Sequence, residues 1–320
     1  MKIAFLIDPL ASLNPKKDTS LSFMDFASRN GHEVYVFTAN DLYIETEVRA
    51  NIQQVTIDLS QEPFYKIVSS ENKDISFLDA IFIRKDPPVN DAYNNMLQIL
   101  SVLEDQSDVF VINPSVSLLK ANEKIYGTRF AKYGPKTRIT ASYDVALDFI
   151  KSQDGKCIIK PVNDCGSSGV YLVDKDDPNL RPLLEQGLEQ DNYVIVQEFL
   201  DTVYQGDKRI FFLEGEVVGG IKRIPQDGEF RCAMGLGAKV ELATLADEEL
   251  ELAQELSEIF KKDDLFFVGI DLIGSKLIEV NVTSPTGVQQ YNKLSNEILE
   301  EKIFQKLEER VKKNRSRSVR

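Results

Sequence analysis

A hairpin near the C-terminal end carries oxygen-bearing side chains in an apolar setting. Residues 267–283 read FVGIDLIGSKLIEVNVT, in which two β-branched runs flank a Gly-Ser-Lys turn, as is typical of a β-hairpin. Alternation places Glu279 and Asn281 on one strand face, and Asp271 joins them if an odd-length turn or a bulge brings it opposite Glu279. Unpaired oxygen groups are unfavourable in a core, whereas magnesium prefers them. The hairpin predicts a magnesium site; its alternative, an exposed ribbon, is disfavoured by the flanking apolar density.

A second candidate site combines a strand-end lysine with a Gly/Ser turn. The strand IIKP ends near Lys160, and GSSG follows a few residues later. The residues of this turn are Gly166, Ser167, Ser168 and Gly169. A lysine and free backbone N–H groups together form a cradle for phosphate. A plain hairpin turn is the alternative, and the G-x-x-x-x-G-K-[ST] pattern of a Walker loop does not occur.

A third segment, VQEFL, has the form of a strand that becomes a linker. Its candidate residues are Gln197, Glu198, Phe199 and Leu200. Such a strand can offer backbone groups to an adenine edge while the apolar side chains contact the ring. An interdomain strand without a ligand is an equally good reading of these residues.

Positive charge is concentrated in two further segments. In GDKRI, alternation places Asp207 and Arg209 on one strand face and Lys208 on the other. In 222–239, basic residues including Arg223, Arg231 and Lys239 lie among glycines, which suggests a mobile lid that closes over anions. The alternative is a solvated surface loop, but the overall acidity of the chain makes this local reversal of sign informative.

Nucleophilic and zinc-dependent catalysis are disfavoured by the residue inventory. The chain has 1 histidine, His32, which follows a helix-stopping glycine and is interpreted as a surface turn residue. Triads built on histidine and zinc-activated water therefore lack their usual parts. The remaining residues suit chemistry by positioning and charge neutralisation, as in phosphoryl transfer.

Composition describes a globular protein with an acidic surface. The 320 residues are 42% hydrophobic and 28% charged, with a formal net charge of -13 and a pI of about 4.8. This charge disfavours nucleic acid and anionic membranes as partners. No stretch reaches the length of a membrane span, and the first apolar run is too short for a signal peptide. Three scattered cysteines indicate reduced thiols and a cytoplasmic location.

The elements that must position these residues fall into successive regions. Strand and helix signals alternate in the first third, which predicts an α/β region with a parallel sheet and ligands near the strands' carboxyl ends. From residue 157 onward, strands separated by short turns predict antiparallel sheets. The predicted domains are 1–121, 122–200 and 201–312, followed by a basic tail, 313–320, that is expected to be disordered.

In this order, the motifs resemble the bacterial glutathione synthetase family of the ATP-grasp superfamily. The matching runs are DPL…LNPKKDTSLSFM, RKDPP, INPSVSLLKANEK, IIKP, GDKRI, RIPQ.GE.R and FVGIDLIG..L.EVNVTSPTG. They span nearly the whole chain, and RKDPP and the final hairpin are the most specific. The resemblance implies an ATP-grasp fold: an N-terminal parallel-sheet domain and two subdomains built on antiparallel sheets, with nucleotide between them. It also implies a ligase that joins γ-glutamylcysteine to glycine through an acylphosphate, releasing ADP and phosphate.

Carried over residue by residue, the resemblance assigns roles to the candidate residues. Those assigned to ATP are Lys124, Lys160, Gly166, Ser167, Ser168, Gly169, Gln197, Glu198, Phe199, Leu200 and Asp207. Those assigned to two magnesium ions, replaceable by manganese, are Asp271, Glu279 and Asn281. Those assigned to the substrates are Arg223, Arg231, Lys239, Ser284, Thr286, Asp8 and Asp86, while Arg209 is expected to stabilise charge on the reacting carboxylate. A homotetramer or homodimer is also implied.

Two departures from the family pattern keep alternatives open. The phosphate loop has Asp164 and Ser167 where the family usually has glycine, and the MGLGAK lid has Lys239 where the family has arginine, which loses the bidentate fork. The alternatives are a related ligase with a different acceptor and a non-catalytic nucleotide-binding regulator. A further hypothesis is that oxidation of Cys165 or Cys232, in the phosphate loop and the lid, slows the enzyme; inert cysteines are the alternative.

Overall fold

The computed structural model describes residues 1–163, 168–189 and 192–318. Its first region forms an N-terminal sheet with helices packed on it. The strands are β1 (Lys2–Leu6), β2 (Glu33–Phe37), β3 (Leu42–Ile44), β4 (Val48–Ile57), β5 (Tyr65–Asp74), β6 (Ala80–Ile83) and β7 (Phe110–Ile112). The helices are α1 (Thr19–Arg29), α2 (Asp91–Gln106) and α3 (Ser115–Lys120).

The N-terminal sheet has the strand order β3-β4-β2-β1-β6-β7, and β5 also pairs with β4. The parallel sheet expected from the alternating signals is confirmed for β1, β2, β6 and β7. The antiparallel extension formed by β3, β4 and β5 was not predicted. Since β5 exposes residues on both faces, its sequence lacks the apolar alternation by which strands are recognised.

A central sheet follows, with strand order β10-β9-β11-β8 and antiparallel pairing. Its elements and the helix before it are α4 (Glu123–Gly127), β8 (Thr137–Thr140), α5 (Tyr143–Lys151), β9 (Cys157–Pro161), β10 (Tyr171–Val173), α6 (Leu180–Gly187) and β11 (Val194–Glu198). Alternation divides β9: Cys157 and Ile159 enter a core shared with α5 and α6, whereas Ile158 and Lys160 face a cleft. The other face of this sheet is therefore available for a ligand.

The C-terminal sheet has the order β14-β13-β12-β15-β16 and is antiparallel throughout. Its region contains β12 (Asp207–Leu213), β13 (Glu216–Ile224), β14 (Lys239–Leu242), α7 (Asp247–Lys262), β15 (Phe267–Ile273), β16 (Lys276–Asn281), α8 (Val288–Ser295) and α9 (Leu299–Ser318). Antiparallel sheets from residue 157 onward are thus confirmed. Along β12, Arg209 faces the cleft, while Lys208 on the other face donates to Glu249 of α7 at 2.6 Å, as alternation predicted.

Asn113 joins the N-terminal sheet to the C-terminal sheet. Its buried side chain donates to the carbonyls of Phe267 and Val282 and accepts from the backbone N–H groups of Phe266 and Phe267, at 2.7 to 2.9 Å. Two apolar cores also run through both sheets, whereas the core of the central sheet is separate. We call this contact the Asn113 bridge; it makes the N-terminal and C-terminal sheets one packed unit.

The basic C-terminal run is helical, so the expectation of a disordered tail is wrong as far as Ser318. The helix α9 buries Leu299, Ile303 and Leu307, and Arg315 forms an ion pair with Asp79 of the N-terminal region. The apolar face of α9 is buried, and the basic residues continue the same helix.

The boundaries of the three domains stay predictions. The segment after residue 122 contacts the C-terminal sheet, because the backbone N–H of Leu277 donates to the carbonyl of Tyr133 at 2.9 Å. Of the helices in the described ranges, none is both long and apolar enough to cross a membrane.

Candidate functional site

A cavity of about 770 Å³ lies where the N-terminal, central and C-terminal sheets meet. It is lined by residues from every segment that the sequence marked as chemically informative. The predicted site residues on its walls are Asp86, Lys124, Lys160, Ser168, Gln197, Glu198, Phe199, Leu200, Asp207, Arg209, Arg223, Arg231, Asp271, Glu279, Asn281, Ser284 and Thr286. We call this cavity the cleft.

Some predicted site residues are not on these walls. Lys239 lies on the edge strand β14, is exposed and pairs with Glu241 at 2.7 Å, so the structure gives its substrate role no support. Asp8 does not line the cleft, but its carboxylate accepts a hydrogen bond from the backbone N–H of Asp86 at 3.1 Å. Gly169 has a φ of +65° and packs against Pro161. Gly166 and Ser167 of the predicted phosphate turn, with Asp164 and Cys165, fall outside the described residues.

The hairpin β15–β16 has the register that the metal prediction required. Asp271 pairs with Glu279 and Gly269 with Asn281, and the register shifts between Asp271 and Leu272. This irregularity brings Asp271 opposite Glu279 and leaves both carboxylates and Asn281 facing the cleft. The buried amide nitrogen of Asn281 has no hydrogen-bond partner within the described part of the chain.

Two arginines and two aspartates form an alternating ladder on the cleft face of the C-terminal sheet. Arg209 donates Nε and Nη2 to Asp271 at 2.8 and 2.7 Å, and Arg223 approaches Asp271 at 3.1 Å. Arg223 also makes a bidentate pair with Asp207 at 2.7 and 2.6 Å. Burial raises the pKa of Asp271, but the charges and hydrogen bonds of Arg209 and Arg223 outweigh it and hold that pKa below its ordinary value.

Two lysines face the ladder from other elements. The Nζ of Lys124, on α4, lies 3.2 Å from Oε1 of Glu279. Lys160, on β9, is buried and donates to Oε1 of Gln197 at 3.1 Å, and Gln197 in turn donates to Thr137 at 2.8 Å. Burial lowers the pKa of Lys160 to about 8, although Glu279 and Asp271 act in the opposite direction. The cleft thus holds a buried lysine whose pKa lies below the ordinary value for lysine.

The donor set of the hairpin fits a hard cation. Across residues 1–163, 168–189 and 192–318, no group of three or more His, Cys, Asp or Glu side chains converges as a metal site. The candidate set instead consists of two carboxylates and the amide of Asn281, whose buried nitrogen has no hydrogen-bond partner in the described part of the chain. A bound cation would share Asp271 with the arginines and would compete with Lys124 for Glu279, which suits magnesium, an ion that prefers oxygen ligands.

The predicted lid and the 197–200 segment meet at aromatic contacts. The rings of Phe199 and Phe230 are 6.0 Å apart in an edge-on arrangement, which joins the two segments along the cleft. Arg231 makes a bidentate pair with Glu229, with Nη2 2.7 Å from Oε2. Cys232 also lines the cleft, but burial raises the pKa of its thiol to about 12, so the reactive thiolate is scarce and oxidation there is disfavoured.

Sequence reasoning missed several residues of the cleft. The loop that contains Ser12, Asn14 and Lys17 lines its N-terminal side, and so does the buried Glu123. Glu123 stands in the first turn of α4, a position where acidic residues are common, so its type gave no signal of a second role. The loop residues were quoted only as part of a motif.

The comparisons with known proteins agree along the chain. Residues 1–118 match the family profile described as prokaryotic glutathione synthetase, N-terminal domain, and residues 123–296 match that described as prokaryotic glutathione synthetase, ATP-grasp domain. The glutathione synthetase of Gloeobacter violaceus is 36% identical over 309 residues, which cover 95% of each chain. The similarity therefore extends over both halves of the molecule.

Solved structures share the fold at lower identity. A D-cycloserine synthetase, DcsG, superposes with a TM-score of 0.68 at 16% identity, covering 97% of this chain and 99% of that chain. The D-alanine–D-alanine ligase of Bacillus anthracis, determined with ATP, gives a TM-score of 0.62 at 15% identity and 99% coverage of both chains. At these identities the likeness concerns the fold alone.

Proposed function

The chain belongs to the prokaryotic glutathione synthetase family, and on that premise we propose how its cleft carries out the reaction. The family consists of ATP-grasp carboxylate–amine ligases, and the chain is an ATP-dependent enzyme that forms glutathione. The observation that carries the proposed mechanism is that two lysines, two arginines and the Asp271–Glu279–Asn281 set line one cavity. Such a cavity can bring an anionic nucleotide and an anionic peptide together by neutralising both.

The nucleotide is proposed to lie between the central and C-terminal sheets. Lys124 and Lys160 contact its phosphates together with the turn at 166–169, and Gln197 to Leu200 line the adenine with Asp207 nearby. The Gln197 side chain orients Lys160, since it accepts a hydrogen bond from that lysine and donates one to the Thr137 hydroxyl. Lys160 is therefore oriented before the nucleotide arrives, which reduces the entropy lost on binding.

Two magnesium ions, replaceable by manganese, are proposed as cofactors. Asp271, Glu279 and Asn281 would hold them, and when bound they would neutralise negative charge on the phosphates. Until then Lys124 neutralises Glu279, and the two arginines neutralise Asp271. These ion pairs compensate the negative charge of both carboxylates in the free protein.

The peptide is proposed to bind beside the ladder. Arg223, Arg231, Ser284 and Thr286 recognise its carboxylates, and Asp86, whose carboxylate accepts from the Ser284 hydroxyl at 3.0 Å, orients that loop. The Asp8 carboxylate accepts a hydrogen bond from the backbone N–H of Asp86 and so supports the position of Asp86. We assign no substrate contact to Lys239.

The reaction is proposed to proceed through an acylphosphate. The carboxylate of γ-glutamylcysteine attacks the γ-phosphorus and ADP leaves; the amine of glycine then attacks the acyl carbon, and phosphate and a proton are released. Arg209 stabilises charge on the carboxylate as it approaches the triphosphate. Water must be kept from the acylphosphate, and the segment 225–240, which carries Phe230 and Arg231 over the cleft, is proposed as the lid that excludes it.

Omission of each substrate tests this function directly. Purified protein given ATP, magnesium, γ-glutamylcysteine and glycine is expected to release one ADP and one phosphate for each glutathione formed. Omitting γ-glutamylcysteine or glycine should stop glutathione formation. ADP release that is independent of both would contradict the mechanism. A panel of amines in place of glycine distinguishes a related ligase with another acceptor.

The titration of Lys160 predicts a pH dependence of nucleotide binding. Because burial lowers the pKa of Lys160 to about 8, its positive charge is present below that pH and is lost above it. The dissociation constant of a non-hydrolysable ATP analogue, measured by calorimetry, should therefore rise about tenfold between pH 8 and pH 9.5.

The matched variant is Lys160→Arg, since arginine stays protonated throughout this range. Its affinity for the analogue should be nearly independent of pH. A wild-type profile as flat as that of the variant would show that Lys160 does not contact the phosphates in its charged form.

A cytoplasmic location and a homodimer or homotetramer remain predictions that the family relationship supports. They concern the setting of the enzyme rather than its chemistry.

A further inference from the structure

Glu123 ties α4 to the end of β16 from inside the molecule. It is buried, and its Oε1 accepts hydrogen bonds from the backbone N–H groups of Val282 and Thr283 at 3.0 Å each and from the Thr283 hydroxyl at 2.7 Å. A single carboxylate oxygen thus fixes both backbone and side chain at this junction.

The junction held by Glu123 separates two parts of the candidate site. Asn281 ends β16 immediately before it, and the segment that contains Ser284 and Thr286 begins immediately after it. The neighbouring residue Lys124 reaches Glu279 on the same strand. One turn of α4 therefore attaches to this strand on both sides of Asn281.

Asn281 itself is held by its pairing with Gly269 across the hairpin, although its amide nitrogen has no hydrogen-bond partner in the described part of the chain. The segment after the junction runs along the cleft, where Arg209 donates to the Thr286 hydroxyl at 3.2 Å. A change at 282–283 would therefore displace Ser284 and Thr286 more than Asn281.

We propose that Glu123 is a positioning residue for the peptide site: its Oε1, together with the Asn113 side chain on the Val282 carbonyl, holds 282–283 and so places Ser284 and Thr286. This inference rests on the proposed function, because it takes that segment to contact γ-glutamylcysteine. The role depends on the reach and acceptor capacity of one oxygen atom rather than on the negative charge of the side chain.

Conservative variants separate reach from charge. Glu123→Gln keeps the length and one acceptor oxygen, so its dissociation constant for γ-glutamylcysteine should stay within about threefold of wild type. Glu123→Asp keeps the charge but is one methylene shorter, so its oxygen no longer reaches the three donors, and peptide binding should weaken about 30-fold, the size expected when two hydrogen bonds are lost. Calorimetry without nucleotide or metal measures both values on the full chain.

Nucleotide binding provides the internal control. The dissociation constant of a non-hydrolysable ATP analogue should change less than about threefold in Glu123→Asp. The lost hydrogen bonds hold 282–283, a segment to which no nucleotide contact is assigned. A merely structural loosening would weaken peptide and nucleotide together. Equal loss in both, a Gln variant as weak as the Asp variant, or an Asp variant that binds peptide like wild type would each overturn the proposal.

Substitutions at Thr283 keep the test decisive if the Asp variant does not fold. Thr283→Val removes one of the donors to Oε1 and should weaken peptide binding about fivefold, whereas Thr283→Ser keeps the hydroxyl and should bind like wild type. Equal affinity of the two would overturn the positioning role. A wild-type protein that forms no glutathione would instead disprove the proposed function.

Discussion

Replacing Glu279 by glutamine is expected to lower the turnover number about 1000-fold while the fold is retained. Removing one group that stabilises developing charge typically has an effect of this size, and here the lost carboxylate is a proposed ligand of the cations that neutralise the triphosphate. Glu279 is only partly buried and pairs with Lys124 at 3.2 Å. In the variant that lysine no longer faces a negative charge at position 279, so metal-free ATP should bind at least as tightly as in the wild type.

The measurement is glutathione formation at saturating ATP, with the magnesium dependence followed over a wide range. Glu241→Gln is the matched control, because Glu241 is an exposed residue of the same sheet that pairs with Lys239 and should leave turnover unchanged. A Glu279→Gln enzyme with full activity and an unchanged magnesium requirement would remove the basis for the metal assignment.

Replacing Asp271 by asparagine is expected to lower the free energy of unfolding by about 3 kcal/mol, the usual effect of leaving a buried charge without its partner. The ladder then keeps Arg209 and Arg223 but loses the carboxylate between them, and the asparagine NH₂ group turns donors towards guanidinium donors. Turnover should also fall to background because the residue is a proposed metal ligand. Urea unfolding followed by circular dichroism measures the first effect.

The sign of the pH dependence follows from the lowered pKa of Asp271. Its contribution to stability is present above the ordinary aspartate pKa and is lost only as the pH falls through the still lower folded value. The difference between wild type and Asp271→Asn should therefore be constant near neutral pH and shrink only in strong acid. Equal unfolding curves at pH 7 would contradict a buried, charge-compensated ladder.

Much of the fold could be predicted because its local signals are strong. The parallel strands β1, β2, β6 and β7 and the hairpin β15–β16 have contiguous apolar runs, so pattern and structure agree. The β4–β5 extension has no such signal, since most of β5 is exposed. The helical C-terminus was missed because its charged residues suggested a solvated tail, whereas the buried side chains of α9 decide its structure.

The members of the site were easier to predict than their partners. Alternation placed Glu279 and Asn281 on one face, and Asp271 was expected to join them given an odd-length turn or a bulge. Which cation pairs with each carboxylate depends on the register between separate strands. Arg209 and Arg223 converge on Asp271 from β12 and β13, and Lys124 reaches Glu279 from a helix that lies far away in sequence. No local pattern contains that information.

The Asn113 bridge has a consequence for selectivity and nucleotide exchange. It joins the N-terminal and C-terminal sheets through a fully hydrogen-bonded side chain, and both share apolar cores, so we expect the proposed peptide site to change little in shape when substrates bind. The central sheet has its own core, so we expect it to move relative to the other two sheets. On the proposed function, we therefore expect discrimination among peptides to depend on the two joined sheets, and release of ADP to depend on movement of the central sheet.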